Sequence, residues 1–371
     1  MKHIIEGNPA PPGPQVKTLE VDEESAGQRL DNFLMRHLKG VPKTHVYRII
    51  RSGEVRVNKG RASADTRIKT GDLVRLPPVR LSERVAEKAQ AMAEGAASIG
   101  INGGTKGGPA REFPVLFEDE AMLAIDKPAG VAVHGGSGVS FGVIEQLRMA
   151  RPDAKFLELA HRLDRETSGV LLLAKKRSAL KALQDQFRER ETGKTYLALV
   201  VGQWPSNRRV LDKPLHKYLL PDGERRVKVV AHDDPDGMKS VTLVKVREQF
   251  SVRPELVEGL LGASTLRQTQ EKPSSARTSH FSLLEVTIKT GRTHQIRVHL
   301  ASEGFPIVGD DKYGDFDLNK ALQKLPSGAA LKRMFLHAWR LQFSHPVSSE
   351  RIELLAPLPA ELEQFLTHVP L

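Results

Sequence analysis

The sequence predicts an α+β protein of two folded units: a small basic one, then a larger one built on a largely antiparallel mixed sheet with flanking helices. Short β-type runs recur along the chain with amphipathic helical stretches between them. A stretch dominated by alanine and glycine, residues 79–111, separates two regions of different composition. Positive charge is concentrated ahead of that stretch. Residues 25–69 hold eleven Lys or Arg against three acids, a net +8 of the chain's +11.

The first 18 residues, with four prolines in the first 16, are expected to form a disordered arm. Residues 19–78 read as the basic unit. Leu30, Phe33 and Leu34 recur at helical spacing after Gly27, and a second helix fits 43–51 with Val46, Ile49 and Ile50 facing inward. Gly53 ends it. Val55 and Val57 alternate as a strand, and Thr70-Gly71-Asp72 turns the chain into Leu73-Val74-Arg75-Leu76, which Pro77-Pro78 stops. Residues 79–111, containing Gly103-Gly104-Thr105-Lys106-Gly107-Gly108-Pro109, read as a flexible linker.

The larger unit spans 112–371. Val115-Leu116-Phe117 and Met122-Leu123-Ala124-Ile125 read as strands around the turn Glu118-Asp119-Glu120. Residues 141–150 and 178–189 are amphipathic helices, and 195–201 and 282–288 are strands. Val170-Leu171-Leu172-Leu173-Ala174 is apolar without alternation and reads as a buried strand. Residues 252–277 interrupt two strand-like segments, 240–246 and 280–288, and read as an insertion at a hairpin tip.

The totals exclude several chemistries. The 371-residue chain has no cysteine, which removes disulfides, thiolate catalysis and cysteine-ligated metals and fits a reducing cytosol. The N-terminal residues hold no apolar core of signal length, and no segment approaches the roughly 20 apolar residues of a membrane span, so the expectation is a soluble cytoplasmic protein. The thirteen histidines show no His-Glu-x-x-His spacing, which argues against a zinc hydrolase. Gly135-Gly136-Ser137-Gly138 lacks the Lys-Ser/Thr of a phosphate-binding loop and reads as a turn near the cleft. A net +11 favours an anionic partner, nucleic acid before acidic membrane. Arg48, Arg51, Arg56, Lys59 and Arg61 stand at helix ends and hairpin edges, where side chains reach a phosphate backbone easily. A merely solvated basic face is the competing reading.

Two blocks carry the chemistry. Residues 161–169 read His-Arg-Leu-Asp-Arg-Glu-Thr-Ser-Gly, with the Asp164 carboxylate between Arg162 and Arg165. Fixed positive charge favours the ionised carboxylate, which suits a nucleophile or base better than a proton donor. Taken alone, the string could equally be a structural ion pair or a turn cap. Residues 290–299 read Thr-Gly-Arg-Thr-His-Gln-Ile-Arg-Val-His. A helix over 293–302, capped by Thr293 and stopped by Gly304, would put His294, Arg297 and Ala301 on one face and Ile296 and Leu300 on an inward one.

These blocks, in this order, resemble the fixed elements of the RluA-type pseudouridine synthases, and the basic unit resembles an S4-type RNA-binding module. Asp126-Lys127-Pro128-Ala129-Gly130, Gly309-Asp310-Asp311-Lys312-Tyr313-Gly314 and Leu336-His337-Ala338 spread the resemblance over essentially residues 19–360. Lys39-Gly40-Val41-Pro42-Lys43 and Val133-His134-Gly135-Gly136-Ser137-Gly138 are similar to a subtype acting on large-subunit ribosomal RNA.

The resemblance implies that Asp164 is catalytic. It could attack the sugar's anomeric carbon, attack the uracil ring, or take a proton from the sugar. It implies that Arg297 pairs with Asp164, that Tyr196 stacks on the flipped base and serves proton transfer, and that Arg162 fills the gap the base leaves. His161 and Arg165 flank that arginine as substrate-side candidates, and His161, Thr167 and Ser168 shape the loop. The isomerisation needs no metal, nucleotide or flavin. The implied partner is large-subunit ribosomal RNA, naked or in a pre-ribosomal particle, met by a monomer with no membrane involved.

Transfer RNA is an alternative substrate. A non-catalytic S4-carrying ribosome-assembly factor is another reading, against which an intact Asp164, Tyr196 and Arg297 argues. Other S4-linked enzymes, a methyltransferase or tyrosyl-tRNA synthetase, would need a Gly-rich cofactor loop or synthetase signatures that the sequence lacks.

Overall fold

The computed structural model of the protein describes residues 16–23, 25–38, 41, 43–78, 110–135, 141–221, 223–252, 279–325 and 330–368. The chain divides into two compact units, Met1–Arg111 and Glu112–Leu371.

In the first unit, strand β1 (Lys17–Glu20) starts two residues inside the expected arm, because it pairs antiparallel with β4 (Leu73–Leu76) from Lys17↔Leu76 to Glu20↔Leu73. Strands β2 (Arg56–Val57) and β3 (Gly60–Arg61) complete a sheet of order β1-β4-β2-β3. Helices α1 (Leu30–His37) and α2 (Lys43–Arg51) place Leu30, Phe33, Leu34, Val46, Ile49 and Ile50 in one core with Val21, Val55, Ile68 and Val74. Those are the positions that helical spacing selected. Residues 1–15 of the expected arm, and all of the expected linker but its last two residues, lie outside the described residues.

The second unit begins with β5 (Val115–Glu118), β6 (Met122–Lys127), helix α3 (Val143–Ala150), β7 (Glu158–Leu159), β8 (Ser168–Ala174) and helix α4 (Arg177–Glu189). Strands β9 (Gly193–Val201), β10 (Val210–Asp212), β11 (Leu215–Leu219), β12 (Arg225–Val229), β13 (Val241–Val252) and β14 (Ser279–Ile288) follow. Helices α5 (Gln295–Ser302) and α6 (Phe316–Gln323), strands β15 (Leu336–Ser344) and β16 (Arg351–Leu355), and helix α7 (Ala360–His368) end it. The main sheet runs β10-β13-β14-β9-β15-β8-β6-β5, with β16 beside β15 and β7 beside β8, while β11 and β12 form a separate hairpin. Every pairing in the main sheet is antiparallel except β15 with β8.

Strand β8 is apolar without alternation because both its faces are covered. Val170, Leu172 and Ala174 pack with Ala179 and Leu183 of α4, while Leu171 and Leu173 pack with Val143, Ile144 and Leu147 of α3. Further along the sheet, Leu197 and Leu199 of β9 pack with α6 and α7, and Ala198 and Val200 pack with Ile296 and Leu300 of α5. Removing one such side chain, as in Leu183→Ala, costs roughly 2–5 kcal/mol.

Helix α3 starts at Val143 and not at the expected 141, because the Glu145 carboxylate accepts from the backbone N–H of Gly142 and of Gly135 and fixes the cap there. Strand β13 extends past the expected 246 to Val252 through a bulge between Val246 and Glu248, and Val252 pairs with Ser279 of β14. The expected insertion at 252–277 lies, beyond Val252, outside the described residues. Among the described residues no helix is long and apolar enough to cross a membrane.

Candidate active site

The loop carrying Asp164 enters β8 at the one parallel junction of the sheet, His337↔Ser168 and Ala338↔Gly169. Gly169 has φ +110°, and a Cβ there would sit 2.2 Å from the Ala338 carbonyl, so only glycine lets the loop approach β15 this closely. Ser168 Oγ accepts from Arg333 at 2.7 Å and lies 2.8 Å from His337 Nδ1, while His337 Nε2 lies 3.2 Å from the Ala356 carbonyl. Burial lowers the His337 pKa to about 4, so the ring is neutral and donates to the carbonyl. Buried Lys127 donates to the carbonyls of Pro128, Val131 and Arg165, tying the end of β6 to the loop that carries Asp164. Thr167 N donates to the Asp164 carbonyl at 3.2 Å and closes the turn.

That turn separates neighbours the sequence placed together. Neither Arg162 nor Arg165 forms an ion pair with Asp164 among the described residues. Arg165 donates from Nε to the Gly130 carbonyl at 2.9 Å and stands outside the cleft lining. His161 lines the cleft, but its Nε2 accepts from Leu172 N at 3.1 Å and its ring packs on Phe187. Burial lowers its pKa to about 3, so it is a neutral acceptor holding the loop to β8. Arg162 lines the cleft with an exposed side chain.

Around Asp164 lies a cleft of about 500 Å³, built from the 160–167 loop, the end of α4, β9, the turn after β14 and the start of α5. Among the described residues its lining holds seven Lys or Arg side chains and a single carboxylate, Asp164. Tyr196 projects into it from β9, and burial, then the Asp164 charge, raise its pKa, so the phenol keeps its proton. Lys194, two residues earlier on β9, has its pKa lowered by burial and by the Arg190 charge.

The start of α5 departs from expectation. The helix begins at Gln295, and the residue before it, His294, sits in the left-handed region with φ +52°, so Thr293 is not the cap. The reason is Gln295, whose Oε1 accepts from Thr290 Oγ1 (2.7 Å) and Arg292 N (3.1 Å) while its Nε2 donates to the Val241 carbonyl and Thr242 Oγ1. Those bonds bind the turn to β13 and force the bend onto His294.

Arg297 is buried, and the expected pairing with Asp164 is replaced by another. Its guanidinium donates two hydrogen bonds to Asp310, at 2.7 and 2.6 Å, and one to Asp311 at 3.0 Å. Asp310 is fully buried and also accepts from Lys312 N and Tyr313 N. Asp164 acts on Arg297 only through its field, as a lesser contribution to the raised arginine pKa. Among the described residues the basic group nearest Asp164 is His294, its Nε2 3.9 Å from Oδ2. Among the described residues, His216, Asp234 and Asp236 bring metal-ligand-type atoms within 4.8 Å of one another, but none of them lines this cleft.

Residues 121–302 match the model of the family described as RNA pseudouridylate synthase, and residues 28–74 match the S4 domain. A ribosomal large subunit pseudouridine synthase C from Pasteurella multocida is 44% identical over 95% of this chain and 93% of its own length. The protein of the same name from Escherichia coli is 43% identical over 95% of this chain and 96% of its own. This chain belongs to the RNA pseudouridine synthases. Its fold is similar to that of the solved human RNA pseudouridylate synthase domain containing 1, with TM-score 0.50, 24% identity, and coverage of 69% of this chain and 87% of that one.

The sequence reading of this synthase missed His294 and the Asp310–Tyr313 cluster as parts of the site. Their signals were present, since His294 stands inside the second block and 309–314 is one of the strings that carry the family resemblance, though no role in the site was read from either. It also missed Lys194, Arg190 and Arg292, whose spacing along the chain says nothing of a shared rim. In the first unit, Arg48, Arg51, Lys59 and Arg61 are exposed and Arg56 is half-buried, and none is ion-paired with a carboxylate among the described residues. Arg61 crosses the end of α2, where a Cβ on Gly53 would meet its Nε at 2.9 Å.

Proposed function

We propose that this synthase isomerises specific uridines of large-subunit ribosomal RNA, with Asp164 as its catalytic carboxylate. The observation that carries the reading is a cleft with one acid among seven cations, on a chain 43–44% identical to large-subunit enzymes over nearly its whole length. The cationic lining attracts a phosphate backbone, and an RNA-borne uridine must leave its stack before a side chain can reach its glycosidic bond. A cleft of about 500 Å³ is of the size that encloses a small ligand. Arg162, an exposed residue of the lining, is the side chain that would enter the gap in the RNA, a reading its exposure supports.

The reaction breaks the bond from C1′ to ring N1 and makes one from C1′ to C5. The C5 proton leaves and N1 ends protonated, so the product is an isomer and no group is lost. Asp164 supplies the charged carboxylate for the step at the sugar or the ring. Tyr196 offers a ring face for stacking and a retained O–H for donation. The basic face of the S4 unit, from Arg48, Arg51, Arg56, Lys59 and Arg61, holds structured RNA elsewhere, and the site is assembled from one chain.

Base-resolution pseudouridine mapping tests this in cells lacking the gene, complemented with wild type or Asp164→Asn. Large-subunit sites should vanish on deletion and return only with wild type. An unchanged large-subunit map with sites lost from transfer RNA would reassign the substrate, and no lost site anywhere would leave a binding role alone.

A further inference from the structure

His294 is a non-glycine residue held at φ +52°, a conformation that costs about 1 kcal/mol or more and persists only where its surroundings impose it. Its ring is hydrogen-bonded on one nitrogen and turned toward a carboxylate on the other. Nδ1 lies 2.9 Å from the Tyr313 hydroxyl, and Nε2 faces Asp164. The tautomer follows from the partner. Tyr313 Oη accepts from Val227 N–H at 3.1 Å, and Nδ1 is the acceptor within reach of the tyrosine's own proton. With Nδ1 accepting from that hydroxyl, the proton of the neutral ring sits on Nε2, the nitrogen 3.9 Å from the Asp164 carboxylate. Tyr313 is itself fixed, with the guanidiniums of Arg297 and Arg226 over its ring at 5.2 and 5.7 Å.

We infer that His294, held as its Nε2–H tautomer by Tyr313, is the positioning residue for the Asp164 carboxylate. The inference rests on Asp164 being catalytic. Arg297 gives its hydrogen bonds to Asp310 and Asp311, so although its charge is felt at Asp164, the donor that faces this carboxylate is His294. A neutral N–H sets the carboxylate's angle without quenching the charge on which its reactivity depends. The 3.9 Å separation closes to hydrogen-bond length when substrate fills the cleft, since catalytic contacts are commonly long in the free enzyme. The charged or titratable groups facing His294 are Asp164 from the loop, Arg297 from α5, and Asp310, Lys312 and Tyr313 from the 309–314 segment. Burial outweighs them and lowers the imidazole pKa, which keeps the ring neutral.

The test uses the full chain and protein-free large-subunit ribosomal RNA extracted from cells deleted for the gene, under single-turnover conditions. His294→Phe should slow the isomerisation step roughly 100-fold, the scale expected when a reacting group is misplaced by about 1 Å, with RNA affinity within twofold. His294→Gln, which restores an N–H donor, should recover part of the rate. Tyr313→Phe should lower the rate roughly tenfold, because the ring stays but its tautomer is no longer imposed. Nitrogen NMR of ¹⁵N-histidine-labelled protein, with the His294 signal identified by its loss in His294→Phe, should show the proton on Nε2 in wild type and on both nitrogens in exchange in Tyr313→Phe. Unchanged rates in His294→Phe, or a wild-type ring protonated on Nδ1, would overturn the inference. Should His294→Phe not fold, Tyr313→Phe with His294→Gln supplies the same test, the signal then being identified by its loss in His294→Gln. Activity surviving in Asp164→Asn would instead overturn the functional reading itself, so the two failures are distinct.

Discussion

At the scale of single residues, the site separates groups that do chemistry from groups that hold them. Asp164 is the lone carboxylate among the described residues of the cleft lining, and Asp164→Asn keeps its size while removing its charge. That variant should lose isomerisation to background and keep RNA affinity within a few-fold in a binding titration. Arg297 is a different case. With its guanidinium bound to buried Asp310, Arg297→Ala strands a carboxylate with no counter-charge in the protein interior. Its expected outcome is a loss of about 3–5 kcal/mol of stability in urea denaturation, and not simply a folded enzyme that turns over slowly. Gly169→Ala should be of similar severity, because its Cβ meets backbone and not a movable side chain.

At the scale of elements, the cleft rim is contributed by pieces far apart in sequence: the end of α4 (Arg188, Arg190), the start of β9 (Lys194) and the turn between β14 and α5 (Lys289, Arg292). Lys194 is largely desolvated beside Arg190, so both cations gain from an anion placed between them. Lys194→Gln should raise KM several-fold with kcat nearly unchanged, measured on the same ribosomal RNA at two salt concentrations. A like argument applies to the first unit. Replacing Arg48, Arg51 and Arg61 together by Gln should flatten the dependence of log K on log salt by about 0.7–0.9 for each phosphate no longer neutralised. An unchanged slope would show that RNA does not dock there.

For the molecule as a whole, the buried histidine that braces the central junction predicts acid lability. His337 is fully buried, with its pKa lowered from 6.5 to about 4 by burial. Between those values the unfolded chain binds a proton that the folded one refuses, so stability falls as pH drops through that window. The slope is about 1.4 kcal/mol per pH unit for this one group. His161, lowered to about 3 by burial, adds a loss of the same sign that continues further into acid. Thermal denaturation should therefore show a falling Tm from pH 6.5 to 4. A neutral replacement, His337→Asn, should be less stable at pH 7 but have a shallower pH slope.

Much of this was legible in the primary sequence, and the rest was not, for physical reasons that differ from group to group. Periodicity located α2 at Lys43–Arg51, because burial of one face is written into local spacing, and turn and proline signals located β4 at Leu73–Leu76. The 161–169 and 290–299 blocks pointed to a carboxylate-centred site through their resemblance to the synthases' fixed elements, because a motif kept in a row is legible along the chain. Long-range pairing is not written locally. Nothing in the order of residues says that Arg297 meets Asp310 thirteen positions on, or that Gln295 reaches back to β13 and bends His294 into the left-handed region. Sequence neighbours of Asp164 carried the charge expected to hold it, yet the 164–167 turn sends Arg165 to Gly130 and His161 to β8. The sequence by itself determined which elements form, since that follows from short-range sterics and hydrophobic period, and its resemblance to the synthases singled out Asp164. Only the tertiary structure decided which side chain faces that carboxylate, since that depends on where elements far apart in the chain meet in the sheet.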